Sequence, residues 1–529
     1  MKRFLIPCVL AAATLVAAAP KKPKLVLAIV IDQFRYDYLT RFRAEYTTGF
    51  EHLLTKGAVF TNADYEHFPT VTAIGHSTFL TGATPAISGI IGNNWFDRDE
   101  NKAVTSVSDT QTHILGANAP VGASPRRLLV DTIGDELKMS NGNKSRVIGV
   151  SLKDRAAILP AGHMADGAFW FDPGSGNFVS STYYFADLPA WVKEFDAGRP
   201  GDAYKGATWL DHKLPSAGGA QLYSAMDASP YGNEIVEAFA ERALQAEQLG
   251  KHDVTDLLAV SFSSNDYVGH ERGPDSAEVR EMSIRTDRVL EKLFTAVDRH
   301  VGLENTVVVL TADHGVAPTP EVNAQRRMPG GRMPLGLITR TIQGALVKRY
   351  GEGDWVISYA EHSIYLNLNL IAQKKLDRAE VNRTAAAAAL EIPHVFRVYT
   401  REQLMDGQGI PDMISRRVMN GFYVRRSPDV EVLLEPYWIF TQTGATHGTA
   451  FDYDAHVPVI FMGPGIRAGQ YHESIAVNDI APTLAAMLQI ETPSGATGRV
   501  LSEILAPETR LSGTAPPPHA GLRQLQQHH

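Results

Sequence analysis

A nearly unbroken run of apolar residues occupies positions 24–31 (KLVLAIVI) and ends directly at Asp32. A run of this kind, rich in β-branched residues, is typical of a strand that is buried on both faces of a sheet. Similar apolar runs recur along the chain at positions 145–150, 256–261, 305–310 and 457–462.

Helical patterns lie between these runs, and the clearest covers positions 276–300, where apolar residues recur near helical spacing. Strands that alternate with helices predict an α/β fold with a central, mostly parallel sheet flanked by helices. Ligands in such folds bind beyond the carboxyl ends of the strands, so the residues that follow each strand are the candidates for chemistry.

The stretch from 318 to 436 differs from the rest, because it begins with an Arg-, Gly- and Pro-rich segment and continues into an Ala-rich helix. We expect it to be an insertion that caps the core. The predicted organisation is a signal peptide at 1–19, a first core part at 24–317, the inserted cap at 318–436, a last core part at 437–510 and a disordered tail at 511–529.

The N-terminus has the pattern of an export signal: a basic start, an apolar stretch at 4–16 and three alanines at 17–19. We therefore expect a periplasmic or secreted protein, with no transmembrane segment in the mature chain. The one cysteine, Cys8, lies within the signal, so the mature protein would contain no disulfide.

The composition, with 44% hydrophobic and 20% charged residues, predicts a packed globular core. The formal net charge of -8 argues against a nucleic-acid-binding surface. We expect a monomer that acts on small-molecule substrates.

Acidic and imidazole side chains follow three of the predicted strands, and one more histidine lies in an ATHG segment. Aspartate and neutral imidazole are suitable ligands for zinc, and six such residues can form two three-ligand sites that leave room for a substrate. A single aspartate at a strand end can simply cap a helix, and a single histidine can be an ordinary core or surface residue. All six residues in this order, however, predict a site for two metal ions. Its members are Asp32, Asp266, His270, Asp313, His314 and His447.

The segment 68–78 (FPTVTAIGHST) predicts a turn that opens a helix, with Thr72 near the helix N-terminus. Free backbone N–H groups and the helix dipole favour an anion there. A threonine hydroxyl becomes a nucleophile when a metal ion helps to remove its proton. Thr70 is a rival nucleophile, and His76 is expected to pack or to make a local hydrogen bond rather than bind metal.

These segments, in this order, resemble the alkaline phosphatase superfamily. The matching motifs are IDQFRYDYL (31–39), the stretch 68–97 around Thr72, NDYVGHERGPDS (265–276), TADHG (311–315) and ATHG (445–448). The resemblance spans residues 24 to about 505. It implies one zinc ion held by Asp266, His270 and His447 and a second held by Asp32, Asp313 and His314. Thr72 would bridge toward the second ion, and Asn93 would donate a hydrogen bond to a phosphate oxygen.

The segment 151–155 (SLKDR) resembles the Lys-x-Arg pair of the threonine-nucleophile, phosphate-irrepressible alkaline phosphatases. Lys153 and Arg155 could neutralise the two charges of a phosphate monoester. We expect the segment to be extended, so that both side chains point the same way. The leading hypothesis is thus a two-zinc phosphomonoesterase with a phosphothreonine intermediate on Thr72. The alternatives are a phosphodiesterase or nucleotide pyrophosphatase at the same site, a sulfatase, and a catalytically silent zinc protein.

Overall fold

The computed structural model of the chain describes residues 22–360 and 363–506. The predicted signal at 1–19 and the predicted tail at 511–529 lie outside the described residues. Within the described ranges, no helix has the length and the apolar character needed to cross a bilayer.

Within the described residues, ten strands form the central sheet, in the spatial order β10-β2-β9-β8-β1-β7-β4-β5-β6-β3. In chain order they are β1 Leu25–Ile31, β2 Ala58–Phe60, β3 Ile114–Leu115, β4 Val147–Ser151, β5 Gly167–Asp172, β6 Asn177–Ser181, β7 Asp256–Phe262, β8 Thr306–Thr311, β9 Val459–Met462 and β10 Gly469–Tyr471.

The five central strands, β8, β1, β7, β4 and β5, are parallel to one another. Strand β1 lies between β7 and β8 and is buried along its whole length, as its continuous apolar run predicts. The α/β prediction with a mostly parallel sheet is confirmed for this centre. Because all five strands run the same way, the residues that follow β1, β7 and β8 meet at one edge of the sheet.

Toward both sides the sheet becomes mixed. Strand β9 is antiparallel to β8 and to β2, and β6 is antiparallel to β5 and to β3. The run at 457–462 was therefore correctly predicted as a strand, but an apolar run contains no information about strand direction.

Helices cover the sheet, and the predicted helix at 276–300 is confirmed as Ala277–His300, with the Ser276 side chain accepting a hydrogen bond from the N–H of Val279 at its start. The other helices of eight or more residues in the described chain are Gly49–Lys56, Thr72–Thr81, Ile133–Ser140, Asp154–Ala161, Ala190–Ala197, Ala220–Asp227, Pro230–Ala246, Ser264–Arg272, Leu337–Tyr350, Arg378–Leu390, Met413–Gly421 and Ile480–Leu488.

The stretch 318–436 contains a second, four-stranded antiparallel sheet, and the helices Leu337–Tyr350 and Arg378–Leu390 share a separate hydrophobic cluster with it. The strands of this sheet are, in spatial order, Val356–Ala360, Ser363–Leu366, Val430–Leu434 and Val395–Thr400. The domain boundaries drawn from the sequence, and the role of this stretch as a cap, stay predictions.

The helix Met413–Gly421 of this stretch contacts the core at the segment that leads to Thr72. The N–H of Phe68 donates to the carbonyl of Arg417 over 2.9 Å. A Cβ atom added to Gly421 would lie 1.6 Å from the carbonyl oxygen of Phe68, so the two backbones touch directly.

Candidate active site

Three parallel strands deliver the predicted metal ligands to the same edge of the sheet. Asp32 follows β1 directly, and Asp313 and His314 follow β8 after one intervening residue. After β7 the chain enters the helix Ser264–Arg272, with Asp266 in its first turn and His270 one turn further on the same face. His447 reaches the edge from a loop.

Asp32, Asp313 and His314 form one compact group in which every side chain is fully buried. Nε2 of His314 lies 3.5 Å from Oδ1 of Asp32 and 3.5 Å from Oδ2 of Asp313. The described part of the chain offers none of these three atoms a hydrogen-bond partner. Buried polar atoms are normally paired, so three unpaired ones that converge within 4.8 Å mark a binding site.

The proton of His314 defines what kind of ligand this group fits. Its Nδ1 lies 3.0 Å from the carbonyl oxygen of Gly315. Because a carbonyl oxygen can only accept, Nδ1 carries the proton and Nε2 presents a lone pair to the two carboxylates. Lone pairs and carboxylate oxygens repel one another at this distance unless a cation lies between them, so this donor set fits a divalent metal ion.

Asp266, His270 and His447 repeat the same design. Nε2 of His270 and Nε2 of His447 lie 3.1 and 3.7 Å from Oδ1 of Asp266. Nδ1 of His270 donates to the carbonyl of Ala445 over 2.9 Å, and Nδ1 of His447 donates to the carbonyl of Thr70 over 2.8 Å. In both histidines a backbone carbonyl thus engages Nδ1 while Nε2 faces the carboxylate, which is the arrangement of metal-binding histidines.

The two groups are contiguous. The rings of His314 and His447 stack with their centroids 3.4 Å apart, and ligand atoms of Asp266, His314 and His447 also lie within 4.8 Å of one another. The resemblance places His270 rather than His314 with Asp266 and His447. The geometry brings all six predicted ligands into one cluster in which His314 adjoins both sets.

Lys153 lies between the two groups. Its Nζ donates to Oδ2 of Asp32 and to Oδ2 of Asp266, each over 2.6 Å, and its side chain is only 3% exposed. Each carboxylate thus offers one oxygen to Lys153 and the other to a histidine. Burial acts to lower the pKa of Lys153, but the negative charges of Asp266 and Asp32 outweigh it and raise that pKa, so the ammonium group stays charged.

The two carboxylates that share Lys153 differ in their acidity. Burial, followed by the negative charges of Asp266 and Asp313, raises the pKa of Asp32 well above its ordinary value. Burial also acts to raise the pKa of Asp266, but the charges of His270 and Lys153 outweigh it and lower that pKa well below its ordinary value. The cluster therefore carries more negative charge than Lys153 alone offsets.

Arg155 is placed differently from the prediction. Lys153 itself is extended, but the helix Asp154–Ala161 begins at the next residue, so the expectation of an extended Lys153–Arg155 segment is wrong. Asp154 starts this helix because an acidic residue is favoured in a first turn. Arg155 Nε is buried and has no hydrogen-bond partner within the described residues, and its nearest ion-pair partner is Asp154, at 3.7 Å. Its guanidinium group is thus available for an anionic ligand.

Thr72 is the first residue of the helix Thr72–Thr81 and is 1% exposed. This helix packs directly against the metal-ligand edge. The contact is so close that a Cβ atom added to Gly75 would lie 2.3 Å from the carbonyl oxygen of Asp313. The three N–H groups that follow Thr72 are paired, that of Ala73 with Asn93 and those of Ile74 and Gly75 with the carbonyl of Val71. The expectation that several free N–H groups would receive an anion is therefore wrong, and side chains have to supply most of the donors.

His76 connects this helix to the metal-ligand cluster. Its Nδ1 donates to the carbonyl of Thr72 over 2.8 Å and lies 3.3 Å from Oδ2 of Asp313. Because Nδ1 must donate, Nε2 accepts from the hydroxyl of Ser261, 2.8 Å away. The local hydrogen bond predicted for His76 is present.

Thr70, the rival nucleophile, has both its hydroxyl and its carbonyl engaged in hydrogen bonds. Its hydroxyl donates to the carbonyl of Thr449 over 2.8 Å, while its own carbonyl accepts from His447. Thr70 is fully buried, and these two hydrogen bonds connect the His447 loop to the segment that leads to Thr72.

Asn93 precedes the strand Asn94–Asp97, and its Oδ1 accepts from the N–H of Ala73 over 2.8 Å. Because Oδ1 accepts this hydrogen bond, the other end of the amide, Nδ2, is the donor that Asn93 can offer to a ligand. The donor role of Asn93 was suggested only by the family resemblance. The hydrogen bond from Ala73 to its Oδ1 could not be predicted from the sequence.

Gln33 is the residue of this site that sequence reasoning missed. It is 2% exposed, and it contacts both metal-ligand groups, through its backbone N–H to Oδ1 of Asp313 (3.1 Å) and through Nε2 to Oδ1 of Asp266 (2.6 Å). The one available signal was a polar residue directly after Asp32, which is weak evidence alone.

Comparison with known proteins identifies the family of the chain. A sequence model of the type I phosphodiesterase / nucleotide pyrophosphatase family matches residues 26–456. The chain is 37% identical to alkaline phosphatase PhoV of Synechococcus elongatus, over 92% of this chain and 93% of that protein. It is 34% identical to a Myroides odoratus protein named as a calcium-transporting ATPase, over 94% of this chain and 97% of that protein.

The crystal structure of wild-type alkaline phosphatase PafA superimposes on the chain with a TM-score of 0.87 and 34% identity, covering 92% of this chain and all of that one. PafA comes from Elizabethkingia meningoseptica. The chain belongs to the type I phosphodiesterase / nucleotide pyrophosphatase family. Within it, the chain is an enzyme of the alkaline phosphatase type, as the motifs in its sequence predicted.

Proposed function

We propose that the chain is an exported phosphatase that hydrolyses small phosphate monoesters with Thr72 as the nucleophile and two zinc ions as cofactors. The observation that carries the proposal is the convergence of buried, unpaired ligand atoms of Asp32, Asp313 and His314 beside the helix that begins at Thr72. The alkaline phosphatase relatives support the reaction class. Export stays a prediction from the N-terminal residues.

In this proposal Asp32, Asp313 and His314 hold one ion, and Asp266, His270 and His447 hold the other. When bound, two zinc ions supply Lewis-acid stabilisation of the attacking and leaving oxygens of an in-line displacement. The chain prepares these ligands in advance, since the three histidines are fixed in one tautomer by the backbone carbonyls of Gly315, Ala445 and Thr70.

Thr72 provides the covalent chemistry. Its hydroxyl oxygen forms a bond to phosphorus while the ester P–O bond breaks, and the proton that Thr72 loses leaves with the alcohol. Water then attacks the phosphothreonine and the Thr72–phosphorus bond breaks. One proton of the water restores the Thr72 hydroxyl, and the other leaves with inorganic phosphate. The helix N-terminus stabilises the negative charge that collects on the phosphoryl group during both steps.

Three side chains bind the phosphoryl oxygens in this proposal. Asn93 would donate from its Nδ2, since its Oδ1 already accepts from the N–H of Ala73. Arg155 has a buried, unpaired Nε, and Lys153 adds a charged ammonium group between the two ligand sets. A monoester has one more negative charge than a diester, so two cations favour the monoester.

The family also suggests a second function, hydrolysis of phosphodiesters or nucleotide pyrophosphates at the same site. The cationic pair Lys153 and Arg155 disfavours it, because the extra substituent of a diester removes the charge that these residues would neutralise.

Purified mature enzyme should be assayed with p-nitrophenyl phosphate and bis-p-nitrophenyl phosphate, and its zinc content measured in the same sample. The proposal expects about two zinc ions per chain and a kcat/KM for the monoester that far exceeds that for the diester. A preference for the diester would reverse the assignment, and a protein that neither binds metal nor gains activity with added zinc would end it.

A further inference from the structure

Gln33 has an unusual backbone conformation for a residue with a side chain. Its φ angle is +59°, in the left-handed region that costs free energy for any residue except glycine. A strained residue beside a functional site persists only when its contacts stabilise the conformation. Those contacts are the two hydrogen bonds to Asp313 and Asp266.

The orientation of the Gln33 amide is fixed by chemistry. The Asp266 carboxylate can only accept, so the group 2.6 Å from its Oδ1 is the Nε2 donor. Oε1 then faces Gly269, where an added Cβ atom would lie 1.9 Å from it. The glycine of the Asp266-Tyr-Val-Gly-His270 motif therefore provides space for this amide.

We propose that Gln33 is a positioning residue that joins the two metal-ligand sets. It follows Asp32 in the chain and binds Asp313 through its backbone, and both belong to one set. Its side chain holds Asp266 of the other set, at the same Oδ1 that faces His270 and His447. The inference rests on the proposed two-metal function.

Loss of the side chain should affect the two sets unequally. Without the amide, Lys153 still holds Oδ2 of Asp266, but Oδ1 loses the Gln33 donor that keeps it facing His270 and His447. The ion that these three residues bind should therefore be held less tightly. The other set keeps the backbone N–H of residue 33 on Asp313 and should hold its ion as before.

The test variant is Gln33→Gly, which keeps the backbone N–H and relieves the left-handed strain. The zinc-loaded, full-length protein is mixed with a chromogenic chelator, and the release of each ion is followed. We expect two ions per chain in the wild type, and in the variant one ion released or bound about 10-fold more weakly with the second unchanged. Gly269→Ala should have the same effect, because it displaces the amide.

Gln489→Gly is the matched control, since Gln489 is exposed and also has a left-handed φ, of +53°. It should release both ions as the wild type does. Two outcomes would overturn the positioning role alone, provided that the wild type binds two ions. In one, Gln33→Gly binds both ions as tightly as the wild type; in the other, Gln33→Gly binds both ions more weakly by the same factor. A wild type that binds fewer than two ions overturns the proposed function together with this inference.

Discussion

Nζ of Lys153 and Oδ2 of Asp32 lie 2.6 Å apart in the buried centre of the active site. The same ammonium group lies 2.6 Å from Asp266, so a single cation contacts one carboxylate of each metal-ligand set. Arg155, two residues on, keeps a buried Nε without a partner in the described chain. Lys153 is thus tied to the ligands, and Arg155 is the freer of the two cations.

Replacing both Lys153 and Arg155 by alanine should reduce monoester turnover far more than diester turnover. We expect kcat/KM for p-nitrophenyl phosphate to fall by at least about 100-fold more than that for the diester, because two charge-assisted contacts are lost. Lys193→Ala with Arg199→Ala, two exposed cations in surface ion pairs, is the control. An equal loss on both substrates would contradict the role given to the pair.

Thr72→Ala should abolish phosphatase activity, with a loss of at least about 1,000-fold in kcat, because no other hydroxyl replaces the nucleophile. Thr72→Ser should retain measurable turnover. Acid quenching during turnover, followed by peptide mass spectrometry, should detect a phosphorylated peptide containing residue 72 in the wild type and in Thr72→Ser, but not in Thr72→Ala. Thr70→Ser keeps the hydroxyl that binds Thr449 and should stay close to wild type. Phosphate on residue 70 would overturn the assignment.

Asp454→Asn should stabilise the protein in a pH-dependent way. Burial raises the pKa of Asp454 to about 7, and its Oδ2 accepts from the N–H of Thr449 while Oδ1 is buried and unpaired in the described structure. Because the folded-state pKa lies above the unfolded one, the proton is bound more tightly in the folded protein. The stability that it contributes is therefore complete below about pH 4 and is lost as the pH rises toward 7.

Asparagine keeps the acceptor for Thr449 and has no proton to lose. The difference in unfolding free energy between the variant and the wild type should rise from about pH 4 to pH 7, reach on the order of 2–4 kcal/mol, and then level off. Denaturant titrations at a series of pH values measure it. A flat profile for Asp454→Asn would refute the prediction.

Gly421→Ala should destabilise the protein and slow catalysis. The new methyl group would collide with the carbonyl of Phe68, so the backbone leading to Thr72 would have to move, at a cost of about 1–3 kcal/mol. The midpoint temperature of thermal unfolding and kcat should both fall. Gly344→Ala lies inside the helix Leu337–Tyr350 with open space around it, and it should raise stability by up to about 1 kcal/mol. A Gly421→Ala variant as stable as that control would contradict the contact.

The sequence was most informative where one strong physical rule applied. The apolar run before Asp32 predicts a buried parallel strand, and the rule for strand ends then places Asp32 beside the residues that follow β7 and β8. The fold class and the meeting of the ligands follow from these two steps. The pairing of the first-turn N–H groups with Asn93 and Val71 depends on loop geometry, which residue types do not specify.

Other features were beyond sequence reasoning for similar reasons. The short strands Ala58–Phe60 and Ile114–Leu115 have too few residues to show a periodic pattern. The helix that begins at Asp154 replaced an expected extended segment, because a charged Lys-Asp-Arg sequence suits a first helical turn as well as a strand. The left-handed conformation of Gln33 depends on two partners more than 200 residues away.

The direct backbone contact between Gly421 and Phe68 limits how this chain can exchange parts with its relatives. A chimera that replaces only the stretch 318–436 would bring a foreign surface against the segment before Thr72, where there is no room for even one methyl group. An exchange between such enzymes should therefore move the stretch and the residues around Phe68 together, as one unit.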